Sequence, residues 1–186
     1  YPFAKLIIKA KKLINDKTIA IVMAAGSSRR FGADKRLARL SNGETMLSQT
    51  VGNIIKAGLQ YKIAIPVQDK ALFSQIYSRE ELILINNASQ GVGASISEAI
   101  RSIRNTYSYC LICLADMPYV LPKTYKTIAE SVFHHDAVIP THEDKKGNPV
   151  AISSILFEAF SLLDGDMGGR NILKSNDIHL LTLDVN

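Results

Sequence analysis

The chain has 186 residues, 47% of them hydrophobic and 21% charged, and carries a formal net charge of +5. A chain of this length buries a substantial core without disulfides or a structural metal, and its balance excludes intrinsic disorder, so one globular domain over 1–186 is expected. No apolar run approaches the roughly 18 residues of a membrane span, and the amino end has neither the apolar segment nor the cleavage site of a signal peptide, so a cytoplasmic location is expected.

The first predicted element is an amphipathic helix over about 4–15, with Lys9, Lys11 and Lys12 among Leu6, Ile7, Ile8, Leu13 and Ile14. Its lysines read as a solvated face rather than a nucleic-acid or membrane surface. The sequence opens on Tyr1, and the chain ends are expected to be incomplete. Ile19–Met23 then reads as a buried parallel strand that opens into a small-residue loop at 24–28. Helical periodicity follows over 46–58, with Gly58 as the stop, then a strand at 61–67 and a helix at 68–77. Residues 81–85 form a third strand, followed by a polar stretch at 86–90, Gly91 and Gly93, and a helix at 94–104.

Tyr109–Leu114 is the next strand, which breaks at Ala115-Asp116-Met117-Pro118, and Pro122 suits the first turn of a helix. Cys110 and Cys113 both lie in this apolar run, where residues three apart point to opposite faces, so they read as reduced core residues. Beyond it come a strand at 136–140, a turn-rich segment at 141–149, a strand at 150–152, helices around 155–163 and 168–174, and a closing strand at 178–183. Strands alternating with helices predict a three-layer, doubly wound α/β fold with a mainly parallel sheet. In such sheets ligands bind beyond the carboxyl ends of the strands, so the segments at 24–35, 86–95 and 115–118 should converge on one cleft.

The segment Met23 to Lys35 is the most informative. Ala24, Ala25, Gly26, Ser27 and Ser28 are small enough to let backbone N–H groups approach a triphosphate, and Arg30 and Lys35 supply positive charge. It has neither the Gly-Lys-Ser/Thr of a P-loop nor the Gly-x-Gly-x-x-Gly of a dinucleotide site. Asp116, a carboxylate at a strand end, is either a turn former or a ligand for a hard cation.

Residues 23–35 resemble the signature Leu-Ala-Ala-Gly-x-Ser-x-Arg-x-Gly-x-x-Lys of the molybdenum cofactor nucleotidyltransferases. Ala24, Ala25, Gly26, Ser28, Arg30, Gly32 and Lys35 match it, and Met23 replaces the Leu. Leu114-Ala115-Asp116-Met117-Pro118 is similar to the family's Asp-Met-Pro motif. Gly147-Asn148-Pro149-Val150 and Gly165–Arg170 resemble its Gly-His-Pro-Val and Gly-Asp-x-Gly-Ala-Arg motifs, with Asn148 in place of His and Gly169 in place of Ala.

The resemblance implies a Rossmann-like nucleotidyltransferase fold and Mg²⁺, with Mn²⁺ as an alternative, on Asp116 and Asp166. It implies a nucleotide site that includes Ser95, which could equally cap its helix. It also implies transfer of CMP from CTP to molybdopterin or its molybdenum-loaded form, with pyrophosphate released, and Arg30, Lys35 and Asp116 as the catalytic groups. The CTP reading rests on Ala25, whose side chain would narrow the base pocket; Asp34 before Lys35 fits the guanylyl branch instead. The alternatives are a guanylyltransferase, an enzyme of the same fold acting on a sugar phosphate or methylerythritol phosphate, and a non-catalytic protein that delivers nucleotide or cofactor to a molybdoenzyme or its chaperone. The four histidines show no ligand spacing, and no nucleic-acid or membrane partner is expected.

Overall fold

A computed structural model describes residues 16–26 and 34–185. The helix expected at 4–15 lies outside them. The described elements are β1 (Thr18–Met23), α1 (Met46–Lys56), β2 (Gln60–Pro66), α2 (Lys70–Phe73), β3 (Leu82–Ile85), α3 (Val92–Ile103), β4 (Tyr109–Leu114), α4 (Pro122–Ser131), β5 (Ala137–His142), β6 (Lys145–Lys146), β7 (Val150–Ser153), α5 (Phe157–Ser161) and β8 (Leu180–Asp184). They build an eight-stranded sheet in the order β3-β2-β1-β4-β7-β5-β6, with β8 paired to β5. β1 pairs in parallel with both β2 and β4, and β2 with β3. β7 runs antiparallel between β4 and β5, whereas β8 lies parallel to β5. The expected three-layer, mainly parallel α/β architecture is what the chain adopts.

The period-2 alternation of side chains divides the core between the two faces of the sheet. Ile19, Ile21 and Met23 of β1 and Cys110 and Ile112 of β4 pack with Ile96, Ile100 and Ile103 of α3 and with Phe157 and Phe160 of α5. Ala20, Val22, Leu111 and Cys113 face the other way, onto Leu47, Val51 and Ile54 of α1 and Tyr125 and Ile128 of α4. The two cysteines are thus free, buried and on opposite faces, and burial pushes both thiols well above their ordinary range.

α1 has unambiguous ends. Thr45 accepts from the Ser48 N–H, and the Ser48 side chain returns a bond to the Thr45 N–H. At the other end Gly58 adopts φ +77°, its N–H bonds Ile55, and the Leu59 N–H reaches the Ile54 carbonyl. Three expected helices are much shorter than their sequence pattern suggests. Segment 68–77 yields a turn at Val67–Asp69 and the single-turn α2; 155–163 yields a turn and the five-residue α5; 168–174 yields only the turn Ile172–Lys174. No helix among the described residues is long and apolar enough to cross a membrane.

Candidate active site

The strand order places a topological switch between β1 and β4: the chain leaves β1 toward β2 on one side and returns from β3 to β4 on the other. A crevice therefore opens beyond the carboxyl ends of these two strands. Met23 is in register with Leu114, and the Ala115 N–H still bonds the Met23 carbonyl, so Asp116 stands beside the exit of β1. It is exposed to solvent, as is Gly26. On the opposite flank, toward β2, the Ala24 N–H bonds Ala64, and the guanidinium of Arg36 donates to the Ala24 carbonyl at 2.7 Å. Lys35 and Asp116 thus lie at the same edge of the sheet, on either side of the β1 tip.

The loop carrying Asp116 is tied down by α1. Asn53, 6% exposed, donates to the carbonyls of Pro118 and Val120 at 2.9 and 3.0 Å. Thr50 donates to the carbonyl of Met46 at 2.9 Å and, more weakly, to that of Ala115 at 3.4 Å. Both are polar residues on the buried stripe of an amphipathic helix, where each requires a partner.

Asp166 sits on a second loop at the same edge, packed against the start of α3. The Gly93 N–H bonds the Gly165 carbonyl at 2.8 Å, and Ala94 shares that acceptor at 3.3 Å. Gly91, at φ +119°, leaves no room for a Cβ, which would collide with the Gly165 carbonyl and with Asp166 Oδ1. A Cβ on Gly93 would lie 2.5 Å from the Met167 carbonyl oxygen and 2.7 Å from that of Asp164. This loop leaves α5 at Ser161, whose carbonyl accepts from Ser97 at 2.6 Å and from Arg101 Nε at 3.0 Å, both on α3.

The segment at 91–95 thus has a packing task of its own. Its N–H groups hold the Asp166 loop. Ser95 is 3% exposed and donates to the Gly91 carbonyl, so its hydroxyl closes a helix turn. Ala25 is likewise only 4% exposed and packs in the cluster around Ile21 and Ile96, so its methyl group fills the core rather than narrowing a base pocket. Ser27, Ser28 and Arg30 lie outside the described residues.

Among the described residues no three His, Cys, Asp or Glu side chains converge as a ready-made metal cage. The exposed carboxylates of Asp116 and Asp166 are of the donor type that suits Mg²⁺ or Mn²⁺, since Mg²⁺ is usually held by one or two carboxylates together with substrate phosphates. Sequence reasoning missed Arg36, Asp69, Asn53 and Arg101. Only Asn53 left a readable signal, as an amide on an apolar helix face.

The fold is that of a doubly wound α/β protein with a crevice at its switch point, where proteins of this architecture bind their ligands. A family model described as the MobA-like NTP transferase domain matches residues 20–180, and the chain belongs to that family. A probable molybdenum cofactor guanylyltransferase of Pelotomaculum thermopropionicum is 24% identical over 122 residues, 66% of this chain and 56% of the relative. The chain thus matches little more than half the length of that relative. The purine catabolism protein PucB of Bacillus subtilis is 26% identical over 179 residues, 86% of this chain and 82% of the relative. Among solved structures, Rv0371c of Mycobacterium tuberculosis superposes with a TM-score of 0.80 at 22% identity, over 91% of this chain and 88% of that one. The same protein has been crystallised as a manganese complex, which superposes at 0.76 with 20% identity, over the same shares of the two chains.

Proposed function

We propose that the chain is a nucleotidyltransferase that joins the nucleotidyl group of GTP to the terminal phosphate of a molybdopterin-type acceptor and releases pyrophosphate. The observation that carries the reading is the gathering of the β1 tip, the Lys35 turn and Asp116 at one switch-point edge. The relative named as a guanylyltransferase supports GTP over CTP. The burial of Ala25 removes the steric argument for CTP.

In this reading an oxygen of the acceptor phosphate attacks the α-phosphorus in line, a new P–O bond forms, and the bond to the pyrophosphate oxygen breaks. The attacking phosphate is ionised at neutral pH, so no side chain has to remove a proton. The protein aligns the two phosphates and offsets their charge. Lys35 and Arg30 would face the leaving pyrophosphate, and backbone N–H groups at Ala25–Ser28 would cradle the triphosphate. Asp116 and Asp166 would hold Mg²⁺ or Mn²⁺, which when bound neutralises phosphate charge and polarises the α-phosphorus.

The test pairs binding with turnover. GTP with Mg²⁺ should raise the melting temperature more than CTP, ATP or UTP does, because selective binding to the folded state stabilises it by mass action. GTP with molybdopterin should release pyrophosphate, and Asp116→Ala should lower that rate by roughly two to three orders of magnitude. A stronger shift with CTP would move the proposal to cytidylyl transfer. Tight binding without turnover on any triphosphate and acceptor would sink it in favour of a delivery protein.

A further inference from the structure

Lys35 opens the three-residue helical turn Lys35–Leu37, in which no side chain is fully buried. Leu37, partly buried, packs the turn against the core cluster that includes Val22 and Ala24, and a polar connection to the β1 tip adds direction to that packing. Arg36 supplies the connection. Its Nε and Nη2 atoms grip Asp34 Oδ1 and Oδ2 at 2.8 and 2.6 Å, and its backbone N–H also bonds Asp34 Oδ1 at 3.0 Å, closing a clip around Lys35. Nη1 donates to the Ala24 carbonyl at 2.7 Å, and Nη2 reaches Asp69 Oδ2 at 2.7 Å on the turn that follows β2. The guanidinium carbon lies 4.8 Å from the centroid of the Phe73 ring, which is fully buried. The Arg36 side chain is only 13% exposed, against 27% for Asp34 and 25% for Asp69.

A planar five-donor fork spanning three segments is a task for arginine that a lysine ammonium cannot reproduce. The Asp69 contact crosses 33 positions of sequence and anchors the clip to a separate strand exit. We infer that Arg36, held by Asp34 and Asp69, is a positioning residue that sets Lys35 against the triphosphate at the tip of β1. The inference rests on the proposed nucleotidyl transfer and adds to it residues outside the metal and phosphate motifs.

The test is a double-mutant cycle between Lys35→Ala and either Arg36→Lys or Asp69→Asn, the second keeping side-chain volume on a different segment should the first fail to fold. Metal-dependent pyrophosphate release is measured per folded molecule, alongside the melting temperature. In the parent background each substitution should lower kcat/KM for the triphosphate by about tenfold to a hundredfold, the usual cost of misplacing a reactive group. In the Lys35→Ala background the same substitution should change it by no more than about twofold, since nothing remains to be positioned.

Additive effects would overturn the inference, as would full activity per folded molecule in a variant with a lowered melting temperature, or a Lys35→Ala chain that behaves like the parent. If the parent releases no pyrophosphate with any triphosphate, the proposed activity fails. The same cycle is then read on the stabilisation given by GTP with Mg²⁺, where additivity still overturns the role of Arg36.

Discussion

At the scale of single residues, Gly169 shows how a departure from a family motif can be a packing matter. A Cβ there would run into the far end of the Phe160 ring, and Phe160 is 1% exposed in the cluster shared by α3 and α5. Alanine, the residue the related motif carries, does not fit beside this phenylalanine. Gly169→Ala should destabilise the protein by about 1–3 kcal/mol, the range for overpacking a filled core. Urea denaturation measures it, and adding Phe160→Leu should recover part of the loss; an unchanged midpoint would show that the ring yields freely. Asp34 offers a second residue-level test. Its hydrogen bonds from Arg36 hold the carboxyl below its ordinary value, against the opposing effect of burial. A depressed folded-state pKa means that its stabilisation is present above the unfolded value of about 3.9 and is lost as pH falls through the lower folded value. Melting temperature followed downward from pH 5 should show that loss in the parent and a smaller one in Asp34→Asn, where Arg36 and Asp69 remain.

At the scale of elements, the binding edge depends on helices reaching across to loops. Asn53 of α1 satisfies the carbonyls of Pro118 and Val120, so Asn53→Leu leaves one buried and one partly buried acceptor unmet. It should cost about 1–3 kcal/mol by the usual penalty for unsatisfied buried polar groups. It should also weaken metal-dependent pyrophosphate release by loosening the Asp116 loop, and normal release per folded molecule would separate the loop's stability from its chemistry. This level also marks the limit of what the sequence discloses. β1 and β4 were legible because both are continuous apolar runs buried on two faces, and α1 because its stripe ends at a glycine. The helices expected at 68–77 and 168–174 failed because Leu72, Phe73, Ile172 and Leu173 repeat like a helix while short turns already deliver Phe73 and Leu173 to the core. Asp116 and Asp166, the carboxylates proposed to hold a metal, stand in motifs that the sequence displays. The anchors of the loops were not legible there, because Arg36 meets Asp69 across 33 positions and Arg101 meets Ser161 across 60, and no spacing rule connects them.

Across the whole molecule, the two edges of the sheet differ in what the proposed function asks of them. At the edge formed by the amino ends of β1, β4, β5 and β8 and the carboxyl end of antiparallel β7 the backbone bonds itself: Ser108 and Tyr109 donate to Lys17, Ser154 to Ser108, and Asp136 to His179. At the opposite edge Ala24 and Ala115 still bond Ala64 and Met23, and exposed Gly26, Asp116 and Asp166 lie beyond those bonds. Amide hydrogen exchange distinguishes the two. Central β1 and β4, buried on both faces, should exchange slowest, and β8, which pairs only with β5, faster. Adding GTP with Mg²⁺ should slow exchange at Ala24–Gly26, the Lys35–Ala38 turn and residues 115–118, while Ser108, Ser154 and Asp136 keep their rates. Protection confined to the amino edge would place the ligand on the wrong side of the sheet and remove the switch-point site. Protection at the Lys35–Ala38 turn that disappears in Arg36→Lys, with Ala24–Gly26 still protected, would show that the triphosphate binds at the β1 tip and that the clip brings Lys35 to it.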